Sequence, residues 1–275
     1  MKKAKVLYVS QEITPFLQAT EIAKIARELP QGVSEKGKEI RVFMPRYGCI
    51  NERRHQLHEV IRLSGMNLII DDTDHPLIIK VASIPTARMQ VYFIDNEDYF
   101  QRKAVLTDDD GKFFEDNDER SIFFCRGVLE TVKKLGWTPD VIHCHGWMTG
   151  LMPLYIKKLM HEDPHFANAK VVYSAYEQRF EGSLNSKFTN KLIQEGFEAS
   201  DIEMLTEPTA DNVDKFAISW ADAVVKGSEA LSAEVNDFIT EADKPTLDYK
   251  PMEELIEACT EFYDEILAEN SVLAD

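Results

Sequence analysis

The chain reads as an α/β domain, a parallel sheet with helices on its flanks. Three observations carry that reading. Short apolar runs bounded by turn residues, such as Val6-Leu7-Tyr8-Val9-Ser10, alternate with stretches of helical periodicity, the order in which parallel strands are linked by crossover helices. The 275 residues are 44% hydrophobic, enough to bury a sizeable core as one large or two small domains. No internal repeat and no low-complexity linker interrupts the alternation.

The elements follow in order. Val6–Ser10 is a buried strand. Residues 18–36 form a helix with Ile22, Ile25, Ala26 and Leu29 on one face and Gly37 as its stop. Pro30 is placed to kink or end it early. Glu39–Pro45 is the next strand, and Arg46-Tyr47-Gly48 turns away from its carboxyl end. Leu57–Leu63, Met66–Ile70, Leu77–Ser83 and Met89–Ile94 read as β strands, and the acidic residues 107–119 as a loop. Ser121–Leu135 is a helix, Asp140–His145 a central strand, and Thr149–Leu159 the helix that it enters. Lys170–Ser174 and Ala223–Lys226 are further strands, with helices between and after. From Pro251 to Leu267, Met252, Leu255, Ile256, Cys259, Phe262, Tyr263, Ile266 and Leu267 recur at helical spacing with acids between them. Such a helix packs on its own domain or offers its apolar stripe to a partner's groove.

Charge and cysteine usage narrow the function. A net charge of −17 argues against a nucleic-acid partner, and an anionic ligand needs local basic groups against that background. Residues 241–275 hold eleven acids against two lysines, more than half of the net charge. Cys49, Cys125, Cys144 and Cys259 form no CxxC pair, which fits reduced thiols in a cytoplasmic protein. The first apolar run is too short, and too polar at Ser10-Gln11-Glu12, for a signal segment; no long apolar span follows. The reading is a soluble cytoplasmic protein with no membrane partner.

The first βα turn of a doubly wound fold is where phosphates bind, because glycines let the backbone approach and the helix N-terminus supplies N–H donors. Here that turn, Thr14 to Ile22, contains no glycine and carries the carboxylate of Glu21. His143 and His145 stand two apart at a strand end and so face the same way, with Cys144 opposite. On the residues alone two readings stand for the pair: a metal site, although no nearby carboxylate or cysteine pattern completes one, or hydrogen-bonded structural histidines. Asp108-Asp109-Asp110-Gly111 starts like a calcium loop, but the ligand spacing fails at Lys112 and no terminal glutamate is in register.

His143-Cys144-His145-Gly146-Trp147-Met148-Thr149-Gly150-Leu151 resembles the His-x-His-Asp-Trp-His-Thr-Gly/Ala-Leu stretch of bacterial glycogen and starch synthases. Lys5-Val6-Leu7-Tyr8-Val9-Ser10-Gln11-Glu12-Ile13-Thr14-Pro15-Phe16 resembles the opening of the same family. There the donor-phosphate loop Lys-Thr-Gly-Gly-Leu follows; here Gln18-Ala19-Thr20-Glu21-Ile22 stands in its place. Val171 to Gly182 resembles a third segment, with Tyr176-Glu177 where the family has His-Asn and Phe180-Glu181-Gly182 kept. Weaker echoes run through Asp98–Arg102, Asp116–Arg120 and residues 214–235.

The resemblance implies a Rossmann-like domain corresponding to the N-terminal half of a GT-B glycosyltransferase, whose two domains face across a cleft. It implies a family reaction that moves glucose from ADP-glucose to an α-1,4-glucan, with no metal and no cofactor. Residues 1–240 correspond to the acceptor-binding domain, and 241–275 to an acidic tail whose terminal helix packs on that domain. By the resemblance, His143, His145, Trp147, Tyr176 and Phe180 are the candidates to line a glucan cleft, while Gln18, Thr20 and Glu21 form a degenerate donor loop. No residue is singled out as catalytic. The expected function is an auxiliary, glucan-binding protein of α-glucan metabolism without independent activity. The alternatives are an enzyme whose site is completed by a partner glycosyltransferase chain or a homo-oligomer, and an interaction protein with no sugar ligand.

Overall fold

A computed structural model describes residues 3–272. Strand β1 (Lys5–Ser10) leads into helix α1 (Glu21–Glu35), β2 (Glu39–Pro45) and a short helix α2 (Glu52–His55). An antiparallel excursion follows: β3 (His58–Glu59), β4 (Met66–Ile70) and the long β5 (Thr73–Ile84), which returns through β6 (Met89–Asp95) and α3 (Glu97–Phe100). Helix α4 (Asn117–Lys134), β7 (Val141–His145), α5 (Met152–Leu154), β8 (Lys170–Ala175), α6 (Phe188–Gln194), α7 (Ala210–Trp220) and β9 (Ala223–Lys226) complete the frame. Helix α8 (Ala233–Glu241), the two-residue β10 (Thr246–Leu247) and the long α9 (Met252–Val272) close the described chain.

The strands lie in the order β10-β9-β8-β7-β1-β2-β6-β5-β3, with β4 paired to β5. All neighbours from β10 to β6 are parallel, and β5 runs antiparallel to β6. The expected parallel-sheet α/β fold is present. Because the chain leaves β1 toward β2 on one side and returns to β7 on the other, the β1–β7 junction is the topological switch point. Strand alternation assigns the two layers. Tyr8, His143 and Ser174 face Tyr263 of α9, whereas Tyr173 on the opposite face reaches Asp214 of α7.

Several elements differ from the sequence expectation for local reasons. Helix α1 begins at Glu21, not at residue 18, because Thr20 caps it by accepting the Ala23 N–H at 3.1 Å. Pro30 does not end it; the ring is buried and the helix continues to Glu35. Of Leu57–Leu63 only His58–Glu59 pairs with β5, and Ile61 is 82% exposed beyond it. The Ser64 hydroxyl then donates to the Val60 carbonyl and turns the chain. Helix α4 starts at Asn117, earlier than Ser121, taking in the end of the acidic loop. The continuous helix expected over Thr149–Leu159 is broken into a 3₁₀ turn at Trp147–Thr149, α5, and a π turn at Tyr155–Leu159. Pro153 brings no N–H to that stretch, and the Met160 N–H reaches back five residues to the Tyr155 carbonyl instead.

Helix α9 lies on α1 and the β1–β7–β8 face. Leu255, Cys259, Phe262, Tyr263 and Ile266 are buried there. Ile256 sits so close over Gly32 of α1 that a Cβ added there would stand 2.6 Å from its side chain. Lys36 and Lys38 at the end of α1 pair with Glu257 and Asp264 along the outer edge of the contact.

Candidate functional site at the carboxyl ends of the central strands

The carboxyl ends of β1, β7 and β8 converge on the switch point, where doubly wound folds hold ligands. β1 hands over to β7 through the Gln11 N–H, which donates to the His145 carbonyl at 3.3 Å. The Gln11 side chain then lies across Gly146 and accepts the Met148 N–H at 3.4 Å. Gly146 has φ +85, and a Cβ there would stand 2.4 Å from Gln11 Oε1. Glycine is required on both counts.

Glu12, only 6% exposed, is the centre of the next layer. Its carboxylate accepts from the Thr20 hydroxyl at 2.7 Å, from Gln178 Nε2 at 2.9 Å and from Gln11 Nε2 at 3.3 Å. The same Thr20 oxygen caps α1, so the turn is closed by the chain's own groups. Glu21 in the first turn of α1 accepts the hydroxyl proton of the buried Ser228, and Ser228 in turn accepts the Glu177 N–H at 3.0 Å. A carboxylate at that end of a helix complements its dipole. Gln18 is exposed and makes no side-chain contact within this network.

His143 and His145 lie with ring centroids 4.0 Å apart, both fully buried. His143 bridges Ser174 Oγ and the Tyr263 hydroxyl at 2.6 Å each, and His145 Nδ1 meets the Tyr176 hydroxyl at 2.7 Å. His145 Nε2 is buried without a hydrogen-bond partner. Burial holds His143 well below the ordinary imidazole value, and His145 beside it acts in the same direction; burial pushes His145 down to about 3. The cluster is therefore neutral at pH 7. Among the described residues no three His, Cys, Asp or Glu side chains come together as metal ligands.

The remaining cleft candidates are also covered. Tyr176 is 2% exposed, and its ring sits so close to Gly227 that a Cβ added there would meet it at 2.4 Å. Trp147 and Phe180 pack edge to face at 4.8 Å, and Phe113 from the acidic loop stacks on Phe180 at 5.3 Å. Phe113 is the third member of this plug, and no sequence pattern marks it. None of the five residues proposed as cleft walls presents an open face in this conformation.

The open space lies beside them. A cavity of ≈ 780 Å³ runs along the turn before α1, lined by Glu12, Phe16, Leu17, Gln18 and Thr20 on one side. Cys49, Asn51, Arg54 and His55 line the other side, and Val105 to Thr107 the third. Phe16 meets the His55 ring edge-on at 5.1 Å. The cavity combines an apolar wall with amide, hydroxyl and guanidinium groups, the mixture that orients a polar ligand. Of the donor-loop candidates, Gln18 and Thr20 line it, while Glu21 is turned to Ser228.

Comparison with known proteins places this geometry in a family. The starch synthase catalytic domain profile matches residues 5–243. The chain belongs to that family. The glycogen synthase of Chlorobium limicola is 41% identical over 192 residues, covering 70% of this chain and 39% of that protein. The glycogen synthase of Chlorobaculum tepidum is 36% identical over 265 residues, 96% of this chain and 52% of that protein. The chain thus spans about two fifths to half the length of these relatives. Among solved structures, the catalytic domain of Starch Synthase IV from Arabidopsis thaliana bound to ADP and acarbose superposes with a TM-score of 0.71 at 17% identity. The match covers 90% of this chain and 51% of that one, and it shows the shared fold. No helix among the described residues of this family member is long and apolar enough to cross a membrane.

Proposed function

We propose that this chain is a glycogen-synthase-like protein of α-glucan metabolism that binds glucan in the cleft beside α1 and does not, by itself, transfer glucose from ADP-glucose. Membership of the starch synthase catalytic domain family, with glycogen synthases as relatives, supports the metabolic setting. The observation that carries the auxiliary role is the acidic turn at the N-terminus of α1. A helix N-terminus favours a sugar-nucleotide diphosphate through its N–H donors and its dipole. Here Thr20 takes the Ala23 N–H, and the carboxylates of Glu12 and Glu21 are held in the same turn. A carboxylate about 4 Å from a phosphate oxygen costs roughly 4 kcal/mol near a protein surface, close to a thousandfold in affinity. Glucan is neutral and bears no such penalty. The cavity lined by Phe16, Gln18, Asn51, Arg54 and His55 offers it an apolar wall and hydrogen-bonding groups.

Two assays on the purified chain test the proposal. Labelled ADP-glucose with a glycogen primer is expected to give no incorporation above a heat-killed control, and migration through a glycogen-containing native gel is expected to be retarded. Incorporation would overturn the auxiliary reading in favour of a site completed by self-assembly. Unretarded migration would remove glucan as the ligand. Arg54→Ala is expected to weaken the retardation and Tyr176→Phe to leave it unchanged, because Arg54 lines the cavity and Tyr176 is buried.

A further inference from the structure

At the opposite end of the sheet the charge balance reverses. The amino ends of the three adjacent parallel strands β1, β2 and β6 border a second cavity, of ≈ 510 Å³. Lys3, Lys38, Arg41 and Arg88 line it, with Ser34 and Gln90 between them. Four cations around one hollow stand out on a chain of net charge −17.

Their own partners leave much of that charge uncompensated. Lys38 pairs with Asp264 of α9. Glu39, the single acid of the lining, accepts from Trp137 Nε1 at 2.6 Å and stands 3.8 Å from Arg41. Among the described residues neither Lys3 nor Arg88 has an ion pair. Arg41 is held in place rather than satisfied. Its guanidinium lies 5.4 Å from the Trp137 ring centroid, Nη1 donates to the Ile40 carbonyl, and Nε is buried with no partner. With Nε closed off, the partly exposed Nη end is the part of Arg41 that can meet an oxyanion.

Backbone geometry positions Arg88. Arg88 has φ +49, a left-handed conformation that glycine or asparagine adopts far more readily. It follows a 3₁₀ turn, Pro85–Ala87, and its N–H closes that turn on the Pro85 carbonyl. The turn fixes where the Arg88 side chain leaves the backbone, at the amino end of β6 beside the other cations. The nearby carboxyl end of α1 does not oppose an anion strongly. Its last carbonyls, on Gly32, Val33 and Ser34, already accept the N–H groups of Lys36, Lys38 and Gly37.

We propose that this cavity is a second ligand site, distinct from the cleft, that binds a phosphoryl dianion: a small phosphate monoester or inorganic phosphate. The two unpaired cations and the half-satisfied Arg41 match the charge of about −2 that such a group carries near pH 7. Ser34 and Gln90 supply neutral hydrogen-bonding groups, and the volume leaves room for a polar body beyond the phosphoryl group.

Calorimetric titration of the purified chain at low ionic strength, with inorganic phosphate and separately with glycerol phosphate, tests this. One saturable site is expected, weakening as salt rises. Tighter binding of glycerol phosphate assigns the site to the ester, and equal binding assigns it to the free ion. Arg41→Gln and Arg88→Gly are each expected to weaken binding roughly tenfold or more, as loss of one charge-assisted contact does. Arg88→Gly relieves the strained φ, so its thermal midpoint should not fall, which separates lost binding from lost folding. Arg54→Gln, in the cleft, should leave the titration unchanged. Absence of saturation, or binding that survives Arg88→Gly and Arg41→Gln but is lost in Arg54→Gln, overturns the proposal. Because the probes carry no glucan, the result is independent of whether the cleft binds one.

Discussion

Gln11 and Gly146 show how a single residue pair shapes the switch point. The glutamine amide occupies the space that any side chain at position 146 would need, and the glycine φ of +85 lets the chain turn out of β7. Gly146→Ala is expected to lower stability by about 1–3 kcal/mol, through backbone strain and displacement of Gln11. Denaturant titration should show Gln11→Gly recovering the steric share and not the backbone share. The donor loop supports a second residue-scale prediction. Replacing Gln18 with lysine and Glu21 with glycine removes one carboxylate and adds one ammonium beside the N-terminus of α1. ADP affinity, read by equilibrium dialysis, should rise by roughly tenfold or more. No change would mean that Glu12, still held by Thr20 and Gln178, is what excludes the anion.

Helix α9 is the element on which the buried polar cluster depends. Its Tyr263 hydroxyl meets His143 at 2.6 Å and donates to Tyr8 at 3.3 Å, so a helix near the end of the chain completes hydrogen bonding at the central strands. Tyr263→Phe leaves His143 Nδ1 buried without that partner and is expected to cost about 1–3 kcal/mol, measurable as a lowered midpoint of chemical unfolding. Deleting the chain from Pro251 onward has a larger effect. It uncovers the surface buried by Leu255, Phe262, Tyr263 and Ile266, each worth roughly 1.5–3 kcal/mol. That sum approaches the roughly 5–15 kcal/mol that hold an ordinary domain together. The truncated chain should therefore lack a cooperative thermal transition by calorimetry.

Across the whole molecule, buried titratable groups set two opposing responses to pH. His143 and His145 stay neutral in the folded state because burial lowers both below the ordinary 6.5. The unfolded chain takes up their protons first, so stability falls as pH drops below about 6.5. Asp214 and Asp118 act the other way. Burial raises Asp214 to about 7, against the hydrogen bond from Tyr173, and raises Asp118 to about 6, against Lys191. The folded state holds these protons above the ordinary 3.8, so their contribution diminishes as pH rises from about 4 toward 7. Over about pH 4 to 6 the two pairs largely offset each other. Asp214→Asn keeps an acceptor for Tyr173 and removes one opposing proton. The variant should gain stability over the parent at pH 8, lose that gain toward pH 4, and show a steeper decline on acidification. Urea unfolding at a series of pH values reads all three.

The sequence by itself determined the α/β class, the bounds of Glu39–Pro45, Met66–Ile70 and Ala223–Lys226, and the apolar stripe of the terminal helix. Those follow from local periodicity, which a continuous stretch carries in full. It also carried the family, through His143–Leu151 and the opening run, and it marked the turn before α1 as lacking glycine. Tertiary structure alone decided what those residues face. By the family resemblance Tyr176, Trp147 and Phe180 are candidates to line a cleft, and the fold packs them against Gly227 and Phe113, far away in sequence. Tyr263 reads as one more apolar position of an amphipathic helix, yet its hydroxyl ends at His143, 120 residues away. The basic cavity has no sequence signature, since Lys3, Arg41 and Arg88 meet only where three strands begin side by side. Periodicity is a property of neighbours in the chain, whereas burial, partner choice and local charge depend on which distant segments the fold brings together.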